Sequence, residues 1–340
     1  MERNPSQSPM KVFVTGAAGF IGSHVCLRLA EDGHNVVGID NFNDYYSPIL
    51  KRHRSNESAK HGIEVIEGDI ENLEVLDGIF AQNGFDAVIN LGARAGVRYS
   101  TKNPHVYMKT NGHGNLNLLE CCRKHGVGKF VLASTSSLYA GQSAPFDEAN
   151  PTVRPLSPYA ASKLAAESMA FSYHHLYGLD VSILRYFTVY GPSGRPDMAV
   201  FRFIESILSG TPITLYGDGK QSRDFTYVTD IADGTVAALR PVGYELFNLG
   251  GGQTPVPMND VIEMLERHTG EKAKIEYKPF HDADMHVTHA KNQKAEKILS
   301  WSPKVSLDEG LNETVAWHLS SRNLFQEMDS TPLSATSLRS

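Results

Sequence analysis

Tyr159 and Lys163 stand four residues apart in the stretch Ser157-Pro158-Tyr159-Ala160-Ala161-Ser162-Lys163. On a helix that spacing puts both side chains on one face. Ser157 and then Pro158 predict a helix start, a cap followed by a proline in the first turn. An ammonium beside a phenol favours the phenolate and lowers its pKa from about 10 towards neutrality. Tyr159 is then usable as a base or an acid near neutral pH. An exposed Tyr/Lys pair on a surface helix has the same spacing, so the surrounding elements must decide.

Those elements begin with Lys11-Val12-Phe13-Val14-Thr15, an apolar run that stops at glycine and reads as a buried strand. Gly16-Ala17-Ala18-Gly19-Phe20-Ile21-Gly22 follows, and Ile21, Val25 and Leu29 then recur at helical spacing. Strand, glycine turn and helix in that order are the phosphate-binding opening of a dinucleotide fold, because glycines let the backbone approach a pyrophosphate at a helix N-terminus. Asp40 ends the second predicted strand. A carboxylate there accepts hydrogen bonds from adenosine ribose hydroxyls and repels a 2′-phosphate, favouring NAD over NADP. A strand-end cap is its plainer use. Asp69-Ile70 follows a third strand and can border an adenine. Further strands are predicted over 86–91, 129–133 and 180–185, alternating with helical patterns such as Leu73, Leu76, Ile79 and Phe80.

The fold class is therefore α/β, a doubly wound, Rossmann-like parallel sheet. Ligands in such sheets lie beyond the C-terminal strand ends. The glycine turn, Asp40, a flexible loop over 92–98, Thr135 and Thr188 all fall there. Residues 10–185 and about 226–250 are assigned to the NAD-binding domain. Residues 186–225 and about 251–320 form a smaller, discontinuous α/β lobe that closes over the strand ends, the substrate lobe. Residues 1–9 read as a loose tail, and 321–340, rich in Ser, Thr and Leu without periodicity, as a fraying one.

With 340 residues and a net charge of −6, the chain is not a nonspecific nucleic-acid or anionic-lipid binder. Cys26, Cys121 and Cys122 have neither metal spacing nor a disulfide framework, which fits a reducing, cytoplasmic setting. No apolar run reaches transmembrane length, and the N-terminal residues lack the apolar core of a signal peptide.

Over about its first 320 residues the chain resembles the extended short-chain dehydrogenase/reductase family. The carriers are Gly16-x-x-Gly19-x-x-Gly22, Ser134-Thr135-Ser136, Tyr159-x-x-x-Lys163 and Arg223-Asp224-Phe225. Within it the chain looks like the nucleotide-sugar 4-epimerases, and among those the ones acting on UDP-glucuronate. That narrower likeness rests on Ala95-Gly96-Val97-Arg98-Tyr99-Ser100, on 184–192 (Leu-Arg-Tyr-Phe-Thr-Val-Tyr-Gly-Pro) and on Gly194-Arg195-Pro196-Asp197-Met198. The resemblance implies a tightly held NAD+ that is reduced and reoxidised in each turnover. Thr135 then bonds the sugar 4-hydroxyl, Tyr159 takes its proton, and Lys163 also holds the nicotinamide ribose. The implied cofactor contacts are Gly16, Gly19, Phe20, Ile21 and Gly22 at the turn, Asp40, Asn41, Asp69 and Ile70 at the adenosine end, and Leu91, Ala93, Asn111, Tyr159, Lys163 and Tyr186. The implied substrate contacts are Val97, Arg98, Thr135, Ser136, Ser137, Tyr159, Thr188, Arg195, Tyr216, Arg223 and Asp284. Among these Tyr216 stacks on uracil, Arg223 clamps the pyrophosphate and Asp284 bonds the uridine ribose. The chain departs from the pattern around Asp284, at Gly92 and at Ala140.

A hexuronate carries a carboxylate, which needs a local cation or donor cluster; Arg195 and Thr188, with amides near Ser136, are the candidates. A surface salt bridge for Arg195 and a backbone-bonded hydroxyl for Thr188 remain open. His281, His286 and His289 lie around Asp282 and Asp284, but their spacing reads as solvated loop, so no metal is assigned. Other readings stay open: a 4-epimerase of UDP-glucose or UDP-N-acetylglucosamine, a UDP-glucuronate decarboxylase, and a non-catalytic NAD-sensing module. A 4,6-dehydratase is disfavoured, because Ser136-Ser137 stands where its acidic pair would follow the threonine. The partner expected from the resemblance is a second copy, a homodimer joined through helices near 103–124 and 158–177.

Overall fold

A computed structural model describes residues 8–280 and 284–330. The strands in chain order are β1 (Lys11–Thr15), β2 (Asn35–Asp40), β3 (Glu64–Glu67), β4 (Ala87–Asn90), β5 (Lys129–Thr135), β6 (Asp180–Tyr186), β7 (Thr188–Tyr190), β8 (Ile213–Tyr216), β9 (Ser222–Arg223), β10 (Phe225–Tyr227), β11 (Tyr244–Leu249), β12 (Val256–Pro257) and β13 (Ile275–Lys278). The helices are α1 (Phe20–Glu31), α2 (Pro48–Lys60), α3 (Leu73–Asn83), α4 (Val97–Lys102), α5 (Pro104–Tyr107), α6 (Asn115–His125), α7 (Pro158–Tyr177), α8 (Ala199–Ser209), α9 (Val228–Ala237), α10 (Met258–Thr269), α11 (Gln293–Leu299), α12 (Leu307–Ser320) and α13 (Arg322–Ser330).

One seven-stranded sheet has the order β11-β6-β5-β4-β1-β2-β3, and every pair in it is parallel. Its central strands are covered on both faces, which is why they read as unbroken apolar runs rather than alternating ones. Val12, Val14, Ile89 and Val131 enter one core with α1 and α9. Phe13, Val88, Phe130 and Leu132 enter the other with α3, α6 and α7. A separate core in the lobe joins α8, α10 and α12 to β8. There His318 is buried against Phe201 and Phe325, and burial pushes its pKa down to about 4. At neutral pH it packs as one more uncharged ring.

Helix α7 starts as the sequence predicts. The Oγ of Ser157 accepts the Ala160 N–H at 3.1 Å, Pro158 opens the first turn, and Gly178 ends the helix at φ 70°.

Four features depart from expectation. Val97 and Arg98 belong to a helix, α4, rather than to the flexible loop. The helix expected near 103–124 widens into a π-helix over Met108–Gly114 between α5 and α6. Residues 293–301, assigned to the lobe, pack on the large sheet through Ala295, Leu299 and Trp301. Residues 322–330 are helix, not a fraying tail: Leu324 and Met328 pack with Tyr45, Tyr46 and Leu50, and Phe325 packs on Phe201. Leu324, Phe325 and Met328 stand at helical spacing and give this short segment the apolar face that docks. Residues 1–7 and 331–340 of the two expected tails lie outside the described residues. Among the described residues no helix is long and apolar enough to cross a membrane.

Candidate active site

The C-terminal ends of the sheet strands and the facing lobe enclose a cleft of about 1250 Å³. It brings together every expected site residue except Asn111. Asn111 stands behind the wall, where its Oδ1 accepts the Arg94 N–H at 2.8 Å and its Nδ2 donates to Arg94 O and Ser162 Oγ. Its amide is spent on bracing the 92–96 loop against α7, so it shapes the cofactor wall without lining it.

At one end lies the glycine turn. Gly16 has φ 67°, and a Cβ on it would come within 2.9 Å of Gly92 N. A Cβ on Gly22 would sit 2.0 Å from Gly16 O. Only glycine permits this close winding. Helix α1 then begins with no side-chain cap, so its first amides are left for an anion. Asp40, at the next strand end, accepts the Ala18 N–H at 3.2 Å and the Phe42 N–H at 2.9 Å, one on each oxygen. It is thus the strand-end cap as well as a wall of the cleft, and each oxygen keeps a lone pair for a ribose hydroxyl. Asn41 donates to Asp69 at 2.8 Å on the same side. An uncapped helix start, a glycine cradle and a strand-end carboxylate are the groups a dinucleotide needs, so the residues present fit NAD.

Thr135 ends β5, and its Oγ1 accepts the Ser137 N–H at 3.1 Å. The Thr135 and Tyr159 side chains line the cleft together, and the Thr135 hydroxyl works to lower the Tyr159 pKa. Lys163 is buried beneath them and donates to Ala133 O at 2.9 Å. Burial lowers its pKa to about 8 against the pull of Glu167. Glu167 in turn accepts from Ser134 at 2.5 Å and from Arg185 at 2.7 Å. The Tyr159 phenol departs from expectation: its pKa is raised, because burial outweighs the lowering by the Thr135 hydrogen bond and the Arg195 charge. Helical spacing puts Lys163 on the right face, but its ammonium is turned to the sheet. The cation that acts on the phenol is Arg195.

Arg195 itself is held as a fork. Its Nε and Nη2 donate to the two oxygens of Asp197 at 3.0 and 2.5 Å. Burial works to lower its pKa, but Asp197 and then Tyr45 hold it above the usual guanidinium value. Its Nη1 has no hydrogen-bond partner among the described residues. Thr188 opens β7 beside it, with its backbone N–H on Asp224 O at 3.2 Å and its side chain on the cleft.

At the far end the Arg98 guanidinium lies 4.0 Å over the Tyr216 ring and is ion-paired with Asp284. One face of Tyr216 is therefore covered by a cation. Arg223 donates to Ser222 O at 2.9 Å, and burial lowers its pKa while Asp284 opposes that. His281 and Asp282 lie outside the described residues; His286 stacks on Phe280 with centroids 4.2 Å apart. Among the described residues no three His, Cys, Asp or Glu side chains come together to hold a metal ion.

Sequence reasoning missed Lys51, Arg54 and Asp197. Lys51 is buried in the cleft wall, donates to Asn43 O at 2.7 Å and is pushed down by burial to about 8 against the pull of Asp40. No apolar face in the sequence marks it: α2 is mostly polar, and only the structure shows that it buries Leu50, Lys51, Arg54 and Ser58.

Residues 12–250 match the NAD dependent epimerase/dehydratase family. The chain is 55% identical over 305 residues to a UDP-glucuronate 4-epimerase of Thermodesulfobacterium geofontis, covering 89% of this chain and 94% of that protein. It is 42% identical to UDP-glucuronate 4-epimerase 4 of Arabidopsis thaliana over 94% of this chain and 77% of that protein. The fold superposes with a TM-score of 0.85 on a crystal structure of UDP-glucuronic acid 4-epimerase from Bacillus cereus in complex with UDP-glucuronic acid and NAD. That chain is 38% identical, with 92% of this chain and 99% of that one covered.

Proposed function

The chain belongs to the NAD dependent epimerase/dehydratase family, and from that premise we infer that it interconverts UDP-glucuronate and UDP-galacturonate by epimerisation at C4. When bound, NAD+ supplies the acceptor for the C4 hydride and gives it back on the other face of the sugar. The sheet half of the molecule holds the cofactor and the smaller lobe the UDP-sugar. Thr135 bonds the 4-hydroxyl and Tyr159 takes its proton, then returns it once the 4-keto ring has turned over. Lys163, anchored on Ala133 O, keeps the base in register. Tyr216, Arg223 and Asp284 take the nucleotide, which requires Arg98 to leave Tyr216 or to share the uracil with it.

One observation carries the uronate reading: the half-buried guanidinium of Arg195 lines the same cleft as Thr135, Tyr159 and Thr188. The carboxylate of a uronate, one carbon from the reacting centre, needs a cation in this part of the cleft. Incubation with UDP-glucuronate, UDP-glucose and UDP-N-acetylglucosamine, followed by NMR, tests it. UDP-galacturonate is the expected main product, and turnover confined to the neutral sugars would overturn the reading.

The biological unit is read as a homodimer. Met169, Phe171, Leu176 and Tyr177 of α7, together with Met108 of the neighbouring π-helix, are large apolar side chains left exposed. A second copy laying the same helices against them buries that surface. Light scattering should give twice the chain mass, and a monomer at micromolar concentration would defeat this. The three buried free thiols fit a reducing, cytoplasmic setting.

A further inference from the structure

Arg54 projects from α2 into the body of the protein and is 2% exposed. Its Nη1 donates to Ala18 O in the glycine turn at 3.2 Å and to the Tyr46 hydroxyl at 2.7 Å. On its other side Nε and Nη2 donate to Ser193 O at 3.1 and 2.7 Å, Nε to Ser193 Oγ at 3.1 Å, and Nη2 to Gly194 O at 3.0 Å. These hydrogen-bond partners are all neutral. A buried guanidinium satisfied by carbonyls and hydroxyls serves geometry rather than charge pairing. Ser193 has φ 55°, the left-handed region that a residue with a Cβ avoids. The carbonyl of that strained residue is the one gripped twice. The next residue but one is Arg195.

One planar group thus ties together two pieces of chain far apart in sequence. The glycine turn is the part of the cleft that cradles the cofactor. The 191–196 loop carries the cation beside Tyr159. We propose that Arg54 is a positioning residue that fixes Arg195 relative to the cofactor cradle, and that it thereby decides whether the 4-keto intermediate is epimerised or decarboxylated. This rests on the epimerase reading above. The intermediate is a β-keto acid. If the carboxylate swings perpendicular to the carbonyl plane, the C5–C6 bond breaks and CO2 leaves. The bonding pair passes into the C4 carbonyl as an enolate, which takes a proton from water to give a UDP-4-keto-pentose, and the cofactor stays reduced. A loop freed to shift lets that swing occur.

The test uses NAD-loaded Arg54→Lys and Arg54→Met enzymes. Arg54→Lys keeps a buried cation but cannot bridge both segments with one nitrogen; it also guards against a methionine variant that fails to fold. In Arg54→Lys we expect NAD content to stay near that of the wild type and KM to change little. The kcat should fall by about 10²-fold, as misplacements of about an ångström do, and the share of turnovers ending in pentose and reduced cofactor should rise several-fold. A purely structural role lowers melting temperature and yield but leaves the product partition alone. A soluble, NAD-containing Arg54→Lys enzyme with wild-type partition therefore overturns the role, as does loss of NAD in step with kcat. Wild-type enzyme that forms no UDP-galacturonate overturns the epimerase reading and this role with it; the two failures are distinguished by the wild-type control.

Discussion

Tyr159→Phe is expected to lower kcat by about 10³-fold, near the middle of what a positioned acid–base group contributes. That corresponds to about 4 kcal/mol of lost transition-state stabilisation. The substitution removes one oxygen and leaves the ring, whose packing against Tyr107 at a centroid distance of 6.0 Å has no need of the hydroxyl. Fold and NAD content should therefore persist. Lys163 keeps its bond to Ala133 O and Thr135 its bond to Ser137, so the neighbours stay in place. What is lost is the group proposed to take the 4-hydroxyl proton. In the free enzyme the phenol is already hard to ionise, because burial raises its pKa and only Thr135 and Arg195 oppose that. The loss should fall on kcat and kcat/KM alike, since the proton moves only in the transition state. Single-turnover formation of reduced cofactor, measured beside NAD content and melting temperature, checks it. A near-normal kcat would remove Tyr159 from the proton step.

Much of this arrangement is legible in the chain because burial writes itself into composition. Strands covered on both faces, such as β5 through Phe130, Val131, Leu132 and Ala133, are apolar runs ending in a polar turn. The glycine cradle is legible because nothing else fits where a Cβ would lie 2.0 Å from a carbonyl oxygen. The start of α7 is legible because Ser157 and Pro158 act locally. At the site most of the failures are non-local. Spacing puts Lys163 on the face of Tyr159, but not its ammonium on Ala133 O rather than on the phenol. The cation that does act on the phenol comes from a loop with no periodicity to read, and its fork to Asp197 is made within that loop. Asn111 reads as a ligand by resemblance, yet the 92–96 loop consumes its amide. Arg54 sits in a helix polar enough to pass for a solvated surface element; only its partners 36 and 139 residues away reveal its use.

Arg195 is where the second large effect is expected. A 4-keto hexuronate loses CO2 when its C–CO2− bond stands perpendicular to the carbonyl plane, because the developing enolate then overlaps the breaking bond. An epimerase has to hold the carboxylate near that plane while the ring turns, so the grip must serve two ring orientations. A fork fixed on the carboxylate would oppose the turn. In this cleft the fork of Arg195 is already committed to Asp197 through Nε and Nη2. What remains for substrate is Nη1, with the Thr188 hydroxyl and the donors around Ser136 alongside. Several single donors around a fixed charge suit a ring that must rotate. With UDP-(4-²H)glucuronate the wild-type enzyme should give UDP-galacturonate that keeps its C4 deuterium, with little solvent exchange and little UDP-pentose. Arg195→Met should lower epimerisation by about 10²–10³-fold, the loss of a buried charge-assisted hydrogen bond made to the reacting species. Of the turnovers that remain, a larger share should end in pentose and reduced cofactor. NMR of the products and the absorbance of the reduced nicotinamide read both effects. An Arg195→Met enzyme with unchanged partition would remove Arg195 as the clamp. A wild-type product that is mainly UDP-xylose or a UDP-4-keto-pentose would sink the epimerase reading itself, since a clamp that lets CO2 go in most turnovers is a decarboxylase site.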